Sequence, residues 1–139
     1  RYLSKYLIPD RESPPNITQL LQKFTGVQYM TSLDLTQGYL QIPLHPDDRK
    51  FVAFRVNGRN LQWTRLPFGL NVSGSIFIKT LNSILGPDLY PFVTTYVDDI
   101  LVTSLTLEEH LQHLDLVFTR LRDNGATIRL SKSKFLKER

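Results

Sequence analysis

The stretch that decides the fold is Phe92-Val93-Thr94-Thr95-Tyr96-Val97-Asp98-Asp99-Ile100-Leu101-Val102-Thr103-Ser104. Residues of high β-propensity precede and follow an adjacent pair of acids, which predicts a strand, a tight turn and a returning strand. Aspartate is common in turns because its side chain can bond to its own main chain, so a purely structural role could explain the pair. Both runs are too apolar for an exposed ribbon, however, which favours a hairpin in a buried sheet.

A third acid, Asp34, closes a second strand-like run at residues 27–35. Carboxylates that folding brings together repel one another unless a cation lies among them. Strand-end carboxylates that hold divalent ions are what two-metal phosphoryl transfer requires. We therefore expect Asp34, Asp98 and Asp99 to converge on a shared site.

The bulk properties of the chain limit its function classes. Its 139 residues fit one domain with a hydrophobic core, and contents of 41% hydrophobic and 22% charged residues are ordinary for a globular protein. The absence of cysteine excludes disulfides and thiolate metal sites. Because there is no run of about 18 apolar residues and no signal peptide, we expect no membrane contact and an intracellular location, in a cytoplasmic particle or the nucleus. The net charge of +4 weakly favours a polyanionic partner.

Apolar periodicity and capping signals predict the other elements. Helices are expected at residues 16–24, 71–85 and 106–123. Asn57-Gly58 lies between two β-rich runs and predicts a hairpin, and residues 126–130 predict a last strand before a basic tail. From Asp34 onward the order is strand, hairpin, helix, hairpin, helix, strand. This order predicts an α+β fold with helices on one face of a mostly antiparallel sheet.

The last predicted helix contains two histidines. Thr106 with Glu109 forms a capping box, and the apolar stripe consists of Leu107, Leu111, Leu114, Val117, Phe118 and Leu121. His110 and His113 fall off that stripe, so we expect them on a solvated face. Their spacing also differs from that of a zinc protease helix, so a metal role is not favoured.

Three segments resemble the motifs of one enzyme family. Tyr96-Val97-Asp98-Asp99 is similar to the signature of reverse transcriptases, and Leu33-Asp34-Leu35-Thr36-Gln37-Gly38-Tyr39-Leu40-Gln41-Ile42-Pro43-Leu44 resembles their first catalytic motif. Leu66-Pro67-Phe68-Gly69-Leu70-Asn71 resembles their substrate-contacting loop. The order and spacing fit a gypsy-type LTR retrotransposon enzyme over nearly all 139 residues. Three motifs in order are far more specific than one tetrapeptide.

The resemblance implies a fold and an activity. The fold would be the polymerase palm, a ferredoxin-like antiparallel sheet with helices on one face, plus part of the fingers. Residues 1–139 would form a single domain of a longer polyprotein, outside which the thumb and ribonuclease H lie. The activity would be that of an RNA-directed DNA polymerase, a nucleotidyltransferase whose partners are an RNA or DNA template with primer and deoxynucleoside triphosphates. Without the thumb and the upstream cations, we expect this piece alone to extend primers weakly or not at all.

The resemblance also implies which residues carry the chemistry. Asp34 and Asp98 would be the main metal ligands, with Asp99 beside them, for two Mg²⁺ ions or alternatively Mn²⁺. Successive strand residues point to opposite faces, so Asp98 and Asp99 need the turn if both are to reach one ion. Lys132 resembles the family lysine that protonates the leaving pyrophosphate, and Lys134 is the competing choice.

The residues that would contact the nucleotide are Leu35, Tyr39, Phe68, Gly69 and Asn71. Tyr39 resembles the gate that excludes a ribose 2′-hydroxyl, and an aromatic core residue is the structural alternative. Gly69 would let the main chain approach the substrate closely. Two departures from the family pattern occur: Ser73-Gly74 replaces a frequent Ala-Pro, and some retroviral enzymes have glutamine where Phe68 stands.

Two alternatives compete with a reverse transcriptase. One is a catalytically inactive relic that keeps the palm fold as a nucleic-acid-binding or structural module, against which the three intact acids argue. The other is a different palm-fold nucleotidyltransferase, against which Tyr39 and the loop at residues 66–71 argue.

Overall fold

The computed structural model describes residues 3–9, 16–96 and 98–138, which have an α+β architecture. The α-helices are α1 (Ile17–Lys23), α2 (Ser73–Leu85) and α3 (Leu107–Asp123). The strands are β1 (Tyr29–Asp34), β2 (Ala53–Val56), β3 (Arg59–Gln62), β4 (Val93–Tyr96), β5 (Asp99–Ser104) and β6 (Lys134–Glu138). Short 3₁₀ helices occupy Leu3–Lys5, Gly38–Gln41, Pro46–Val52 and Pro87–Leu89. The predicted fold class is confirmed.

The described residues divide into two compact units. The first contains residues 3–9 with Gln37–Phe77, and the second contains residues 16–36 with 78–138. The second unit is built on a four-stranded antiparallel sheet in the order β4-β5-β1-β6. The first unit contains the antiparallel β2-β3 hairpin. The expectation of one domain over residues 1–139 stays a prediction.

The core of the second unit includes the inner face of the sheet and α3. Leu33 of β1 and Ile100 and Val102 of β5 are fully buried, and α3 packs on both strands. Buried and half-buried residues alternate along β1, as expected for a strand with one face on a core. Burying each such side chain stabilises the fold by about 1.5–3 kcal/mol. This packing fixes the ends of β1 and β5, where Asp34 and Asp99 lie.

Local capping signals set the helix ends. The side chain of Asn16 accepts a hydrogen bond from the N–H of Thr18 at 2.9 Å and caps α1, as predicted. After α2 the chain turns at Gly86, whose φ of 78° lies in the region that glycine adopts readily. None of the helices in the described part of the chain is both long and apolar enough to cross a membrane.

The N-terminus of α3 is capped as predicted, but its buried stripe differs. The hydroxyl of Thr106 accepts a hydrogen bond from the N–H of Glu109 at 3.2 Å. The buried residues of α3 are His110, Leu114, Val117 and Leu121. Leu107 and Leu111 are exposed instead. The predicted placement of His110 on a solvated face is therefore wrong, because the core side of the first turn falls on this residue.

Hydrogen bonds accommodate His110 in the core. Its Nε2 lies 2.7 Å from the hydroxyl of Thr31, and its Nδ1 lies 2.8 Å from the hydroxyl of Ser104. The same Ser104 hydroxyl is 2.7 Å from Nδ1 of His113, whose ring stacks on Phe92 with centroids 3.7 Å apart. Partners of this kind are needed because an unpaired buried polar group costs about 1–3 kcal/mol.

The last strand lies later in the chain than predicted. Residues 126–130 contribute the isolated bridge of Ile128 with Leu35, whereas Lys134–Glu138, in the predicted basic tail, pairs with β1. β6 is an edge of the sheet, where lysine side chains oppose further strand pairing. The same lysines hide the apolar pattern by which a strand is recognised in a sequence.

An ion pair joins α3 to the end of α2. The guanidinium of Arg120 donates hydrogen bonds to the carbonyl of Leu85 and to both carboxylate oxygens of Asp88, with 2.7 Å between Nη1 and Oδ1. The hydrogen bond from Arg120 is the main cause of the lowered pKa of Asp88. A β-carbon on Gly86 would lie 2.6 Å from Nη1 of Arg120, so a larger residue there would disturb the pair.

Candidate functional site

Two of the three predicted metal ligands face each other across the sheet. Asp34, the last residue of β1, is the register partner of Asp99, the first residue of β5. Directly opposite residues of antiparallel strands project to the same face, with Cα atoms about 4.5–5.5 Å apart. Asp98 precedes Asp99 in the turn of the β4-β5 hairpin, and Val97 of the same motif lies outside the described residues. The hairpin predicted around the adjacent acids is confirmed.

The charges of the three acids act on one another. Asp34 is half-buried, whereas Asp98 and Asp99 are exposed. The pKa of Asp99 is raised, first by the loss of solvent around its carboxyl and then by the negative charges of Asp34 and Asp98. The positive charge of Lys134 opposes that rise. A carboxyl whose pKa is raised by neighbouring carboxylates is one whose ionised form a bound cation would stabilise.

The donor set fits a hard divalent cation. Carboxylate oxygens are the ligands that Mg²⁺ prefers, and this ion is commonly held by one or two carboxylates, with water and phosphate oxygens completing its shell. Among residues 3–9, 16–96 and 98–138, no group of three or more His, Cys, Asp or Glu side chains is arranged to hold one metal ion. The facing pair Asp34 and Asp99 is thus the part of the predicted set that the register brings together.

Two residues that the sequence did not single out hold the main chain of Asp34. The N–H of Asp34 donates a hydrogen bond to the hydroxyl of Ser133 at 3.1 Å, and its carbonyl accepts one from the N–H of Arg129 at 2.7 Å. The Ser133 hydroxyl in turn donates to the carbonyl of Arg129 at 2.9 Å. The loop before β6 therefore fixes the strand end that carries the acid.

The two candidate lysines occupy different places near this loop. Lys132 is exposed in the turn before β6, and its N–H donates to the carbonyl of Arg129 at 3.2 Å. Lys134 is the first residue of β6 and is the register partner of Ser32 on β1, two residues from Asp34. Its charge acts on Asp99. The role implied for Lys132 stays a prediction, and so does that of its competitor Lys134.

In the first unit, Tyr39 is held by other aromatic rings. Its ring centroid lies 5.3 Å from that of Phe68 in an edge-on arrangement and 5.0 Å from that of Phe77. A β-carbon on Gly38 would lie 2.6 Å from the Phe77 ring, so glycine is needed for this close approach. Gln37 adopts a left-handed conformation with φ of 48°, which turns the chain before Tyr39. Tyr39 is therefore half-buried, and its ring packs on two aromatic neighbours.

The other residues of the predicted nucleotide site differ in exposure. Phe68 is 59% exposed, and Gly69 follows it with φ of 86°, so the turn itself requires glycine. A β-carbon on Gly69 would meet nothing within 4 Å. The side chain of Asn71 donates to the carbonyl of Ser4 at 3.2 Å. Leu35 is 7% exposed in the second unit, so its side chain is buried.

Comparison with protein families gives a match over the whole chain. The family described as "Reverse transcriptase (RNA-dependent DNA polymerase)" matches residues 1–139. The chain is 37% identical to the retrovirus-related Pol polyprotein from transposon 297 of Drosophila melanogaster, and 36% identical to that from transposon gypsy of the same organism. Each alignment runs over 138 residues and covers 99% of this chain but 13% of the polyprotein.

Solved structures of a viral enzyme share the fold. The crystal structure of the prototype foamy virus protease-reverse transcriptase CSH mutant matches with a TM-score of 0.84 and 30% identity, over 97% of this chain and 18% of that one. The foamy viral protease-reverse transcriptase dRH in complex with double-stranded DNA matches with a TM-score of 0.86 and 28% identity, over 98% and 24%. The same viral enzyme in complex with an RNA/DNA hybrid matches with a TM-score of 0.73 and 34% identity, over 79% and 15%.

Proposed function

Since this chain belongs to the reverse transcriptase family, we propose that it supplies the palm and part of the fingers of an RNA-directed DNA polymerase. The reaction is the template-directed addition of a deoxynucleotide to the 3′-hydroxyl of a primer. The chain spans 13% of the length of the two Drosophila polyproteins, so the activity is proposed for the polymerase that contains it.

The facing acids at the ends of β1 and β5 support this proposal most directly. Asp34 and Asp99 are register partners, and Asp98 lies in the adjoining turn. Loss of solvent around the Asp99 carboxyl is the first cause of its raised pKa, and the negative charges of Asp34 and Asp98 add to it. Negative charges gathered at a strand end weaken the fold of a purely structural module, whereas they suit a site that binds cations.

We assign these three carboxylates to Mg²⁺, with Mn²⁺ as an alternative. Two such ions, held by Asp34, Asp98 and Asp99, would lower the pKa of the primer 3′-hydroxyl and neutralise the charge of the leaving pyrophosphate. The protein positions the acids. Ser133 and Arg129 hold the main chain of Asp34 by hydrogen bonds, so the strand end that carries its carboxylate is fixed. No protein nucleophile is required, because phosphoryl transfer depends on positioning and charge neutralisation.

Tyr39 is assigned to the selection of deoxyribonucleotides. Its ring is wedged against Phe68 and Phe77, so its position is set by packing. A rigid ring can reject an extra hydroxyl by steric exclusion, since moving it would disturb both aromatic contacts. Phe68, Gly69 and Asn71, on the loop after β3, are assigned to the nucleotide and template on the family resemblance.

The proposed partners are a template-primer duplex and deoxynucleoside triphosphates. The foamy viral relatives of known structure are described in complex with an RNA/DNA hybrid and with double-stranded DNA. This chain is 34% and 28% identical to them over the matched parts, which supports the same class of partner.

The test is the substitution Asp98→Asn in the polymerase that contains this chain. The change is nearly isosteric and removes one negative charge, and an amide binds Mg²⁺ far less well than a carboxylate. Primer extension should fall by about a thousandfold or more, while template-primer binding should persist because it depends on phosphate contacts elsewhere. The matched control is Asp115→Asn, which removes the same charge from an exposed position on α3 and should leave the rate unchanged.

The same experiment separates an enzyme from a relic. A relic would show no synthesis in the parent polymerase, and Asp98→Asn would then change nothing. An active parent whose Asp98→Asn variant retains more than about a tenth of the rate would contradict the metal-ligand assignment. The isolated 139 residues are expected to extend primers poorly, so they are unsuitable for the rate measurement.

A further inference from the structure

The positive charge of this chain is concentrated in one segment. Residues 49–65 contain five cations, Arg49, Lys50, Arg55, Arg59 and Arg65, and no acid. The whole chain has 17 cations and 13 acids, so the other 122 residues hold 12 cations and 13 acids, a net charge of −1. The net charge of +4 therefore arises entirely from this segment.

The charged segment folds into an exposed two-stranded ribbon. β2 and β3 pair with Phe54 opposite Leu61 and Val56 opposite Arg59, around a turn at Asn57 and Gly58. Paired residues share a face, so Phe54, Val56, Arg59 and Leu61 form one side of the ribbon, which we call the hairpin face. Arg55 and Asn60 lie on the opposite side. All eight strand residues are exposed.

The aromatic ring of Trp63 extends the hairpin face next to Phe54. Trp63 follows β3, and its ring centroid lies 5.8 Å from that of Phe54 at an interplanar angle of 37°. Each of these two residues is 39% exposed. Nearby in sequence, Phe51 is 60% exposed, and the Nζ of Lys50 lies 5.2 Å from its ring centroid. Flat apolar surfaces thus alternate with cations along the segment.

The arginines of the segment differ in whether their guanidinium groups have a partner within the protein. Arg49 and Arg65 each donate to a main-chain carbonyl at 3.2 Å, those of Leu44 and Gln41. Arg55 and Arg59 are exposed and form no ion pair with any residue that the structure describes. A cation without an acidic neighbour beside exposed rings matches a ligand that carries both negative charge and flat apolar groups.

We propose that the hairpin face, together with Trp63, binds a single strand of nucleic acid. Bases stack on Phe54 and Trp63, and a phosphate pairs with Arg59. Stacking on aromatic side chains combined with cationic contacts to the backbone is the general physical basis of single-strand binding. A neutral or basic protein partner would gain from the apolar residues but not from five uncompensated cations. The identity of the polyanion as nucleic acid rests on the proposed polymerase function.

Tryptophan fluorescence provides a direct test, because Trp63 is the only tryptophan among the 139 residues. A labelled single-stranded oligothymidylate is titrated into the chain at several salt concentrations, with anisotropy and Trp63 emission recorded together. Stacking should quench the emission, and quenching should saturate at the same oligonucleotide concentration as the anisotropy. A binding signal with unchanged Trp63 emission would overturn the proposal.

Variants locate the contact on one side of the ribbon. Arg59→Gln should reduce the slope of log K against log salt by about 0.7, the value for one phosphate contact on a single strand. Arg55→Gln, its matched control, removes the same charge from the opposite side and should leave the slope nearly unchanged. Phe54→Leu keeps an apolar side chain but removes a stacking ring, and it should weaken binding about tenfold. Equal effects of the two arginine variants would refute the assignment to the hairpin face.

The remaining outcomes separate this site from the polymerase proposal. Asp98→Asn should leave the Trp63 quenching intact, since the site does not depend on the acids. A polymerase that is active but whose Phe54→Leu and Arg59→Gln variants bind single strands normally would refute this site alone. Quenching of Trp63, combined with a full polymerase that shows no primer extension, would refute the proposed function alone. The chain could also self-associate without binding the oligonucleotide, and Phe54→Leu could abolish that self-association. This result would make the hairpin face an interface between copies and would also refute the site.

Discussion

The hydroxyl of Ser133 accepts a hydrogen bond from the main-chain N–H of Asp34 at 3.1 Å. The two residues are 99 positions apart in the chain, and the bond joins the last residue of β1 to the loop before β6. Because the carbonyl of Asp34 is also bonded, to the N–H of Arg129, both main-chain polar groups of this acid are fixed from the same loop. The loop therefore fixes the main-chain position from which the Asp34 side chain projects.

Ser133→Ala should weaken catalysis through the position of Asp34. The substitution removes two hydrogen bonds of the Ser133 hydroxyl, the one from the N–H of Asp34 and the one to the carbonyl of Arg129. The bond from Asp34 is worth about 0.5–1.5 kcal/mol, so primer extension by the full polymerase should fall about three- to tenfold, and more Mg²⁺ should be needed for half-maximal rate. The matched control is Ser131→Ala at an exposed position of the same loop, which should leave both quantities unchanged. A loss of thermal stability without any change in Mg²⁺ dependence would show that Ser133 is merely structural.

Partial loss of solvent around the Asp99 carboxyl, together with repulsion from Asp34 and Asp98, predicts an unusual pH dependence of stability. The pKa of Asp99 is raised in the folded chain, so above the ordinary aspartate value of about 3.9 the folded state binds more protons than the unfolded state. The free energy of unfolding should therefore fall as the pH rises through the interval between the two pKa values, and stay level above it. Thermal unfolding of the chain, measured without divalent cations across that interval, reports this contribution.

Asp99→Asn provides the comparison that isolates this contribution. Asparagine does not ionise, so the variant should lose the fall with rising pH and be more stable than the parent at neutral pH without divalent cations. Added Mg²⁺ should stabilise the parent more than the variant, and a chelator should reverse that gain. A parent and variant with identical pH profiles would contradict a raised pKa of Asp99 in the folded chain.

Features that depend on neighbours in sequence could be predicted. The Asp98-Asp99 turn, the Asn57-Gly58 hairpin and the cap at Thr106 each arise from a few adjacent residues, and all three are confirmed. The strand that ends at Asp34 was also expected, whereas the sequence paired this acid chiefly with Asp98, and its register partner is Asp99. Local propensity and strand periodicity are sufficient for such features because little tertiary context is needed to satisfy them.

Features that depend on distant partners were missed. No local pattern marks Ser133, since its role comes from contact with Asp34 alone. β6 was assigned to a tail because charges on an edge strand conceal its pattern. His110, by contrast, left a usable signal: extending the spacing of Leu121, Val117 and Leu114 back by four residues reaches it. The predicted stripe instead included the neighbouring apolar residues Leu107 and Leu111, which are exposed.

Tyr39→Val should raise ribonucleotide use by the full polymerase. Valine removes the ring that is packed on Phe68 and Phe77 and opens space where the ring stood. Tyr39→Phe, the matched control, keeps the ring and both contacts and should keep the discrimination. The measurement is the ratio of kcat/KM for a deoxynucleotide to that for the matching ribonucleotide in single-nucleotide extension. Equal ratios in parent and Tyr39→Val would remove Tyr39 from the selection of the sugar.

Replacing each candidate lysine in turn decides which one serves the leaving group. Lys134→Ala should lower kcat more than Lys132→Ala, because Lys134 is in register with Ser32 and lies on the face of the sheet that Asp34 shares. Loss of a general acid typically costs about a hundredfold or more in rate, and the pH profile should lose its alkaline limb in the same variant. Each variant is the control for the other, since both remove one exposed positive charge. A larger loss in Lys132→Ala would restore the assignment that the family resemblance implies.

The histidine cluster in the core should make the fold sensitive to acid. Burial is the first cause of the lowered pKa of His110, and the charge of His113 is the second. Ser104 has a single hydroxyl hydrogen, so it can donate to only one of the two Nδ1 atoms, at 2.8 Å and 2.7 Å, and must accept from the other. If both rings were protonated, both would donate to Ser104, whose own hydrogen would lose its acceptor, and two positive charges would share one oxygen.

His110→Gln tests that sensitivity. Because the pKa of His110 is lowered on folding, the unfolded state binds a proton between the two pKa values and the folded state does not. The free energy of unfolding therefore has its full value above the ordinary histidine pKa of about 6.5. It should then fall as the pH drops from there to the lowered pKa. Glutamine cannot titrate, so denaturant unfolding of the variant should show a flatter profile over that interval. If the free energy of unfolding of the parent did not decrease as the pH dropped below about 6.5, His110 would be uncharged in both the folded and the unfolded state or protonated in both.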